Sequence, residues 1–237
     1  TEVGRLIASG RDADIYEFGR GRVLRRSRNS REVAGEARVI EYVRSRGYPA
    51  PEVFDVIEGG LAMVMQRLEG PTMLDAAAAR PWRLGELGRT LAELHESLHA
   101  LDGPEWLSGA PVGRGERVVH MDLHPLNVLM TADGPVVIDW TNAVRGDPRV
   151  DVVATWILLA AAEVPAGWVM SVLAAIGRRR LLEAFLGSFD RDSLVALLAD
   201  VVEWKCRDPN MSELETQRLR ALVEGPPRSR RSPRRVG

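Results

Sequence analysis

The sequence predicts an α+β fold of two lobes: a small β-rich lobe over residues 1–65, a hinge over 66–71, and a larger helical lobe over 72–225. Three observations predict it. Residues 1–65 carry short runs rich in Val, Ile, Leu and Tyr, separated by Gly-containing turns and interrupted by one stretch of helical spacing. Gln66-Arg67-Leu68-Glu69-Gly70-Pro71 breaks that pattern, and beyond it apolar residues recur at steps of three and four. Inside the second lobe, two apolar runs flank a polar loop, and a third apolar run ends in a carboxylate.

Taken in order, Glu2 to Ala8, Ala13 to Phe18 and Arg22 to Arg26 read as three strands, with Ser9-Gly10-Arg11-Asp12 and Gly19-Arg20-Gly21 as their turns. Ser30 reads as the N-cap of a helix reaching Ser45, with Val33, Ala37, Ile40 and Val43 or Arg44 on one apolar face. Gly47-Tyr48-Pro49-Ala50-Pro51 ends that helix, because a residue before proline is pushed out of the helical region. Val53 to Ile57 and Leu61 to Met65 complete the small lobe as strands around a Glu58-Gly59-Gly60 turn.

Leu84, Leu87, Leu91, Leu94 and Leu98 mark a strongly amphipathic helix. His95 and His99 ride it one turn apart; no third ligand accompanies them, so they read as structural rather than zinc-binding. Gly- and Pro-rich residues 101–116 lead into Val118-Val119-His120-Met121-Asp122-Leu123-His124-Pro125-Leu126-Asn127-Val128-Leu129-Met130. Asp133-Gly134 reads as a two-residue type I′ turn, returning the chain through Val136-Val137-Ile138-Asp139. That hairpin brings Asp122, Asn127 and Asp139 to one end of a small β-unit. Magnesium takes oxygen ligands, with one or two carboxylates completed by phosphate and water, so Asn127 and Asp139 suit it. Asp122, on the loop, is left to accept a proton from an attacking hydroxyl. Thr141 to Arg149 reads as a loop and Val152 to Ala162 as a buried helix opened by Asp151. Helical segments follow near 166–176, 178–186, 190–206 and 211–223 as the wall of an acceptor pocket. Glu163, Asp200, Glu203 and Asp208 are acids there that could receive a cation, although solvated surface charge is their ordinary role.

Bulk properties bound the function. The longest apolar run is too short to span a bilayer, so no membrane partner is expected and cytoplasmic residence is the default. Cys206 is alone, which excludes an internal disulfide and a cysteine-based zinc site. Of 32 basic residues against 33 acidic ones, five arginines lie in the 226–237 tail, which reads as disordered. The body, 27 against 33, therefore carries about −6, which disfavours nucleic acid and admits a neutral or cationic small-molecule acceptor.

His120-x-Asp122-x-x-x-x-Asn127 followed by Ile138-Asp139-Trp140 resembles the aminoglycoside phosphotransferase and choline kinase-like family, distant relatives of the protein kinases. The resemblance implies a bilobal protein-kinase-like fold and an Mg-dependent transfer from ATP or GTP to the hydroxyl of a small molecule. It implies Asp122 as the base, His120 as support of the loop, and Asn127 and Asp139 as magnesium ligands. On the nucleotide side it implies Ser9 and Gly10 over the phosphates and Arg25, where the family usually has Lys, on the α- and β-phosphates. Glu36 would pair with Arg25, although Glu32 and Glu41 share its helix. The Gln66 carbonyl and the Leu68 amide would take the base, with Met65 at the back of the pocket. The Gly146-Asp147-Pro148-x-x-Asp151 string also fits, with Asp151 bracing the loop. The family string has Gly where this chain has Met121 and Leu126. With the missing Lys, those departures motivate the alternative of a non-catalytic nucleotide-binding protein.

Overall fold

The computed structural model describes residues 2–10, 12–161, 168–207 and 211–224, with the backbone alone for 168–174. Glu163, Asp208 and the tail 226–237 lie outside them.

The small lobe is an antiparallel five-stranded sheet in the order β1-β2-β3-β5-β4. Its strands are β1 (Leu6–Ser9), β2 (Ala13–Glu17), β3 (Arg22–Ser27), β4 (Val53–Ile57) and β5 (Ala62–Gln66). The first strand is shorter than the sequence predicts, starts at Leu6 and ends at Ser9, and all four of its residues are exposed. Helix α1 (Ala34–Arg44) buries Ala37, Val39, Ile40 and Val43, which settles Val43 over the exposed Arg44 as the face residue. Ser30 is not its cap. Ser30 is left-handed (φ 53°), the helix begins after Val33 without a side-chain cap, and Ser27 Oγ takes the Arg31 amide instead.

The large lobe holds α2 (Met73–Ala79), α3 (Leu84–His99), α4 (Pro148–Ala161), α5 (Trp168–Leu186), α6 (Arg191–Lys205) and α7 (Glu213–Glu224). Thr72 caps α2 in a reciprocal capping box with Asp75. All five leucines of the predicted α3 stripe are buried, each contributing about 1.5–3 kcal/mol by leaving water. Helix α3 lies against α5 closely because residue 88 is glycine: a Cβ there would stand 2.5 Å from the Leu181 carbonyl oxygen. The two predicted helices at 166–176 and 178–186 are one, since Gly177 continues the helix rather than ending it. An isolated glycine lowers helix propensity by only about 1 kcal/mol, which tertiary packing overrides.

Two small ribbons carry the polar loop. Strand β6 (Arg117–Val119) pairs with β9 (Val144–Gly146), a strand where the sequence predicts a loop. Strand β7 (Val128–Thr131) pairs with β8 (Gly134–Val137), Thr131 opposite Gly134. The turn residues are therefore Ala132-Asp133, one position earlier than predicted. Only Gly134 has positive φ (124°), so this is not a type I′ turn. Thr131 displaces it: its hydroxyl donates to the Gly134 carbonyl (2.8 Å) and accepts from the Asp133 amide (3.3 Å).

Two proline carbonyls outside the large lobe hold the β7–β8 ribbon. From the small lobe, Pro49 O accepts from Val137 N (2.8 Å). From the hinge, Pro71 O accepts from Met130 N (2.8 Å). Gly70 (φ 150°) passes so near that a Cβ would stand 2.2 Å from Met130 O, so no larger residue fits there.

Candidate active site

The ribbon positions two of the predicted ligands. Asn127 ends a 3₁₀ turn (Pro125–Asn127) just before β7, and its carbonyl accepts from Ile138 N (2.9 Å), next to Asp139. Asp139 itself follows β8 in the left-handed region (φ 61°), which turns the chain sharply after the strand. A non-glycine residue there stores on the order of 1–3 kcal/mol, and such strain collects at functional sites.

Asp122 joins them through Asn127, whose Nδ2 donates to the Asp122 carbonyl (2.9 Å) and to its Oδ2 (3.2 Å). The His124 ring sits 3.7 Å from the same carboxylate. Its Nδ1 accepts from the Leu126 amide (3.3 Å), so the ring proton is on Nε2, facing Asp122. Burial works against the Asp122 charge, but the His124 hydrogen bond and the Lys205 charge outweigh it and hold the carboxyl below its ordinary range. The sequence reading missed both residues: a lone histidine in a loop and a lysine some eighty positions on carry no local signal.

The loop rests on a buried carboxylate. Asp151, fully buried in the first turn of α4, accepts from Met121 N (2.7 Å), His120 N (2.9 Å) and His99 Nε2 (3.0 Å). Burial pushes Asp151 up, but these bonds and the surrounding histidines hold it far below the ordinary carboxylate value. His95 and His99 are thus structural, as expected, and His99 has a defined task. Burial takes His95 down to about 4, so its ring is neutral at pH 7, with Nδ1–H donated to Leu91 O (2.8 Å). Thr155 Oγ1 lies 2.9 Å from His95 Nε2 and 2.6 Å from Leu123 O, one hydroxyl proton between two acceptors.

His120 is fully buried against Trp140 (ring centroids 4.8 Å apart), and its Nε2 donates to Ile138 O (3.2 Å). Burial lowers its pKa, so the ring is neutral and its partnerless Nδ1 is a bare lone pair. Met121, at a family glycine position, is left-handed (φ 65°) and 2% exposed. A left-handed residue costs about 1–2 kcal/mol, and burying a methionine side chain returns about that much. Leu126, the other departure, keeps negative φ, so replacing glycine there costs no backbone strain; its side chain is half exposed.

Across from this loop, Arg25 on β3 reaches three partners. Nη1 donates to Glu36 Oε2 (2.8 Å); Nη2 donates to Thr141 Oγ1 (3.1 Å) and approaches Asp139 Oδ1 (3.4 Å). Of the two adjacent arginines and the three glutamates, it is Arg25 and Glu36 that pair. Arg26 points the other way, to Glu58 and over the Tyr16 ring. Burial raises the pKa of Glu36, Arg25 opposes that, and the Asp139 charge adds to it. A cavity of about 210 Å³ flanks this pair, with Arg31, Trp106 and Trp140 in its wall.

The remaining predicted residues sit apart from these bonds. Ser9 donates to Asp14 Oδ1 (2.6 Å) in the β1–β2 turn, which the Gly10 amide closes onto Ala13 O (2.9 Å). Met65, 9% exposed, and Gln66 end β5, with the Gln66 amide bonded to Glu52 O (2.8 Å), and Leu68 follows half-buried. Of the predicted acceptor-wall acids, Glu203 is bound by Arg207 and Asp200 is exposed.

A five-stranded lobe with one helix, followed by a helical lobe that presents Asp122, Asn127 and Asp139, is the layout of the kinase-like fold class. The family model described as APH, phosphotransferase enzyme family, matches residues 3–115 and 105–195, and the chain belongs to that family. Among solved structures, a choline/ethanolamine kinase family protein from Mesorhizobium loti superposes with a TM-score of 0.60 at 16% identity, covering 95% of this chain and 89% of the other. ADP-bound aminoglycoside phosphotransferase APH(2'')-Ib gives 0.57 at 14%, covering 94% and 92%. Aminoglycoside phosphotransferase APH(4)-Ia gives 0.54 at 21%, covering 94% and 93%. These likenesses establish the fold. No curated protein matches the sequence. No helix among the described residues is long and apolar enough to cross a membrane.

Proposed function

We propose that the protein moves the γ-phosphoryl group of a nucleotide, ATP or GTP, to a hydroxyl of a small molecule, with Mg²⁺ as its metal, in the cytoplasm. The observation that supports this most is the convergence of Asp122, Asn127 and Asp139 on one ribbon, with Arg25 spanning Glu36 and Asp139. One carboxylate and one amide oxygen suit magnesium, which fills its shell with phosphate oxygens and water. Asn127 commits its Nδ2 to Asp122 and so leaves Oδ1 for the cation, beside Asp139. When bound, the metal would draw together phosphate oxygens and neutralise charge developing on them.

In this reading Arg25 takes α- and β-phosphate oxygens, held in place by Glu36. Ser9 and Gly10 lie over the phosphates. The Gln66 carbonyl and Leu68 amide take the base, in front of Met65. As the acceptor oxygen bonds to the γ-phosphorus, Asp122 takes its proton. The bond from the γ-phosphorus to the bridging oxygen breaks, and its electron pair leaves with the nucleoside diphosphate. Neutral His120 keeps the loop in register through Ile138. A structural neighbour is a ternary complex of APH(2'')-IIa with streptomycin and ATP, which favours ATP. The test is thermal stabilisation by Mg-ATP and Mg-GTP, followed by nucleoside diphosphate release across a panel of hydroxyl acceptors. No stabilisation by either nucleotide would sink the reading.

A further inference from the structure

Thr141 stands two residues past Asp139, in the short 3₁₀ turn Trp140–Asn142. Three charged side chains meet at its hydroxyl. The oxygen accepts from Arg25 Nη2 (3.1 Å), and two carboxylate oxygens lie within reach of its single proton: Asp139 Oδ1 at 2.9 Å and Glu36 Oε2 at 3.2 Å. Glu36 Oε2 already accepts from Arg25 Nη1 (2.8 Å), so the proton goes to Asp139, the nearer of the two. The backbone is held as well, since Arg31 Nη2 donates to the Thr141 carbonyl (3.1 Å). A relay of two hydrogen bonds, from Arg25 Nη2 to Thr141 Oγ1 to Asp139 Oδ1, therefore runs from the small lobe to the large one. Each bond in such a relay polarises the next, and at Arg25 and Glu36, 11% and 7% exposed, little water competes.

Two consequences follow for Asp139. Its contacts with Arg25 and Thr141 both fall on Oδ1; Oδ2 takes no bond among the described residues, and the side chain is 39% exposed. One oxygen is tied and the other is left open, as suits a carboxylate that serves a hard cation, because a hydrogen-bonded partner fixes the direction in which the ligand points. The hydroxyl also stands between opposite charges. Arg25 Nη2 reaches Asp139 Oδ1 only at 3.4 Å while it donates to Thr141. Without the hydroxyl, that carboxylate is the acceptor left to Nη2 in the protein. An arginine fork can hold two acids at once, so it would close on Asp139 while keeping Glu36. The charge needed by a cation and the nitrogen needed by a phosphate would then be spent on each other.

We propose that Thr141 is a positioning residue for the phosphoryl transfer: its hydroxyl ties Asp139 through Oδ1, leaving Oδ2 for the cation, and holds Arg25 off that carboxylate. The inference rests on the phosphotransferase reading and adds to it a residue that touches neither nucleotide nor acceptor.

Thr141→Val keeps the shape of the side chain and removes the hydroxyl, whereas Thr141→Ser keeps the hydroxyl. The full chains are compared by calorimetry of ADP binding in EDTA, and by Mn²⁺ paramagnetic resonance of the ADP complex, manganese sharing magnesium's preference for carboxylate, carbonyl and water ligands. Thr141→Val should raise the half-saturating Mn²⁺ concentration by about tenfold to a hundredfold, the equivalent of one hydrogen bond to a charged acceptor. ADP affinity in EDTA should fall by less, and Thr141→Ser should restore the wild-type metal titration. If valine prevents folding, Thr141→Ala serves in the same comparison. An unchanged Mn²⁺ titration in the variant without the hydroxyl overturns the proposal. So does a serine variant as weak as valine, which assigns the effect to packing. So does a loss of ADP affinity in EDTA as large as the loss for the metal, which leaves Thr141 a stitch between the lobes. Failure of the wild type to bind ADP with or without metal is a separate result: it sinks the phosphotransferase reading, and this proposal with it.

Discussion

Asp151→Asn tests the claim that the catalytic loop is hung from α4. The carboxylate accepts three N–H donors, two on Oδ2 and one on Oδ1, in a fully buried place. Asparagine keeps one oxygen. With that oxygen facing His120 and His99, its NH₂ faces the Met121 amide, donor against donor. One bond to a charged acceptor is lost, about 1.5–3 kcal/mol, and a buried amide is left unsatisfied, about 1–3 kcal/mol more. The sum, about 2.5–6 kcal/mol, brackets the usual cost of breaking a buried charge pair from one side, about 3–5 kcal/mol. For a chain of this size that lowers Tm by about 10 °C. The pH dependence carries a second signature. The folded pKa of Asp151 lies below its unfolded value of 3.8, so its contribution is present above that value and lost as pH falls below it. Wild type should therefore converge on the variant as urea unfolding is repeated toward lower pH, and amide exchange at His120 and Met121 should be faster in the variant at pH 7. A variant within about 1 kcal/mol of wild type at pH 7, with protected amides at both residues, would refute the anchoring argument.

Four further outcomes follow from the site. Asp122→Asn should slow phosphoryl transfer by about 10²–10⁴, the usual range for a general base, with nucleotide affinity preserved; wild-type turnover would remove Asp122 from the mechanism. Asp139→Ala should abolish the magnesium dependence of nucleotide binding, and an unchanged metal titration would count against it as a ligand. Arg25→Ala should weaken nucleotide binding about tenfold or more, the equivalent of one charge-assisted hydrogen bond, measured by calorimetry. Met121→Gly should relieve about 1–2 kcal/mol of backbone strain and lose about 2–5 kcal/mol of buried side chain. A net loss of up to about 4 kcal/mol in urea unfolding is expected from that difference, and a gain would mean that the side chain packs poorly.

What could be read from the sequence was what local chemistry writes down. The spacing of Asp122, Asn127 and Asp139 needs only a ribbon between them, and a one-residue error in its turn left their convergence intact. Strand alternation said only that one of two adjacent arginines turns inward; the family resemblance picked Arg25 and Glu36, which do pair. Ser30 misled because a serine before a helical run resembles a cap, while the actual start is fixed by Gly60 O accepting the Val33 amide. Gly177 suggested a break that helix packing denies. His99, His124 and Lys205 acquire meaning only through tertiary neighbours, from helices far along the chain or from ring orientation, and no periodicity encodes that.

The double grip on the β7–β8 ribbon bears on how the cleft would open. Pro49 fastens β8 through Val137 and Pro71 fastens β7 through Met130, and Gly70 leaves the connector no slack there. Swinging of the small lobe therefore has to be taken up upstream of residue 70, within the short stretch Arg67 to Glu69, while the ribbon serves as the axle. Asn127 and Asp139 flank that axle, so the side chains proposed for the metal would keep their places as the lobes rock.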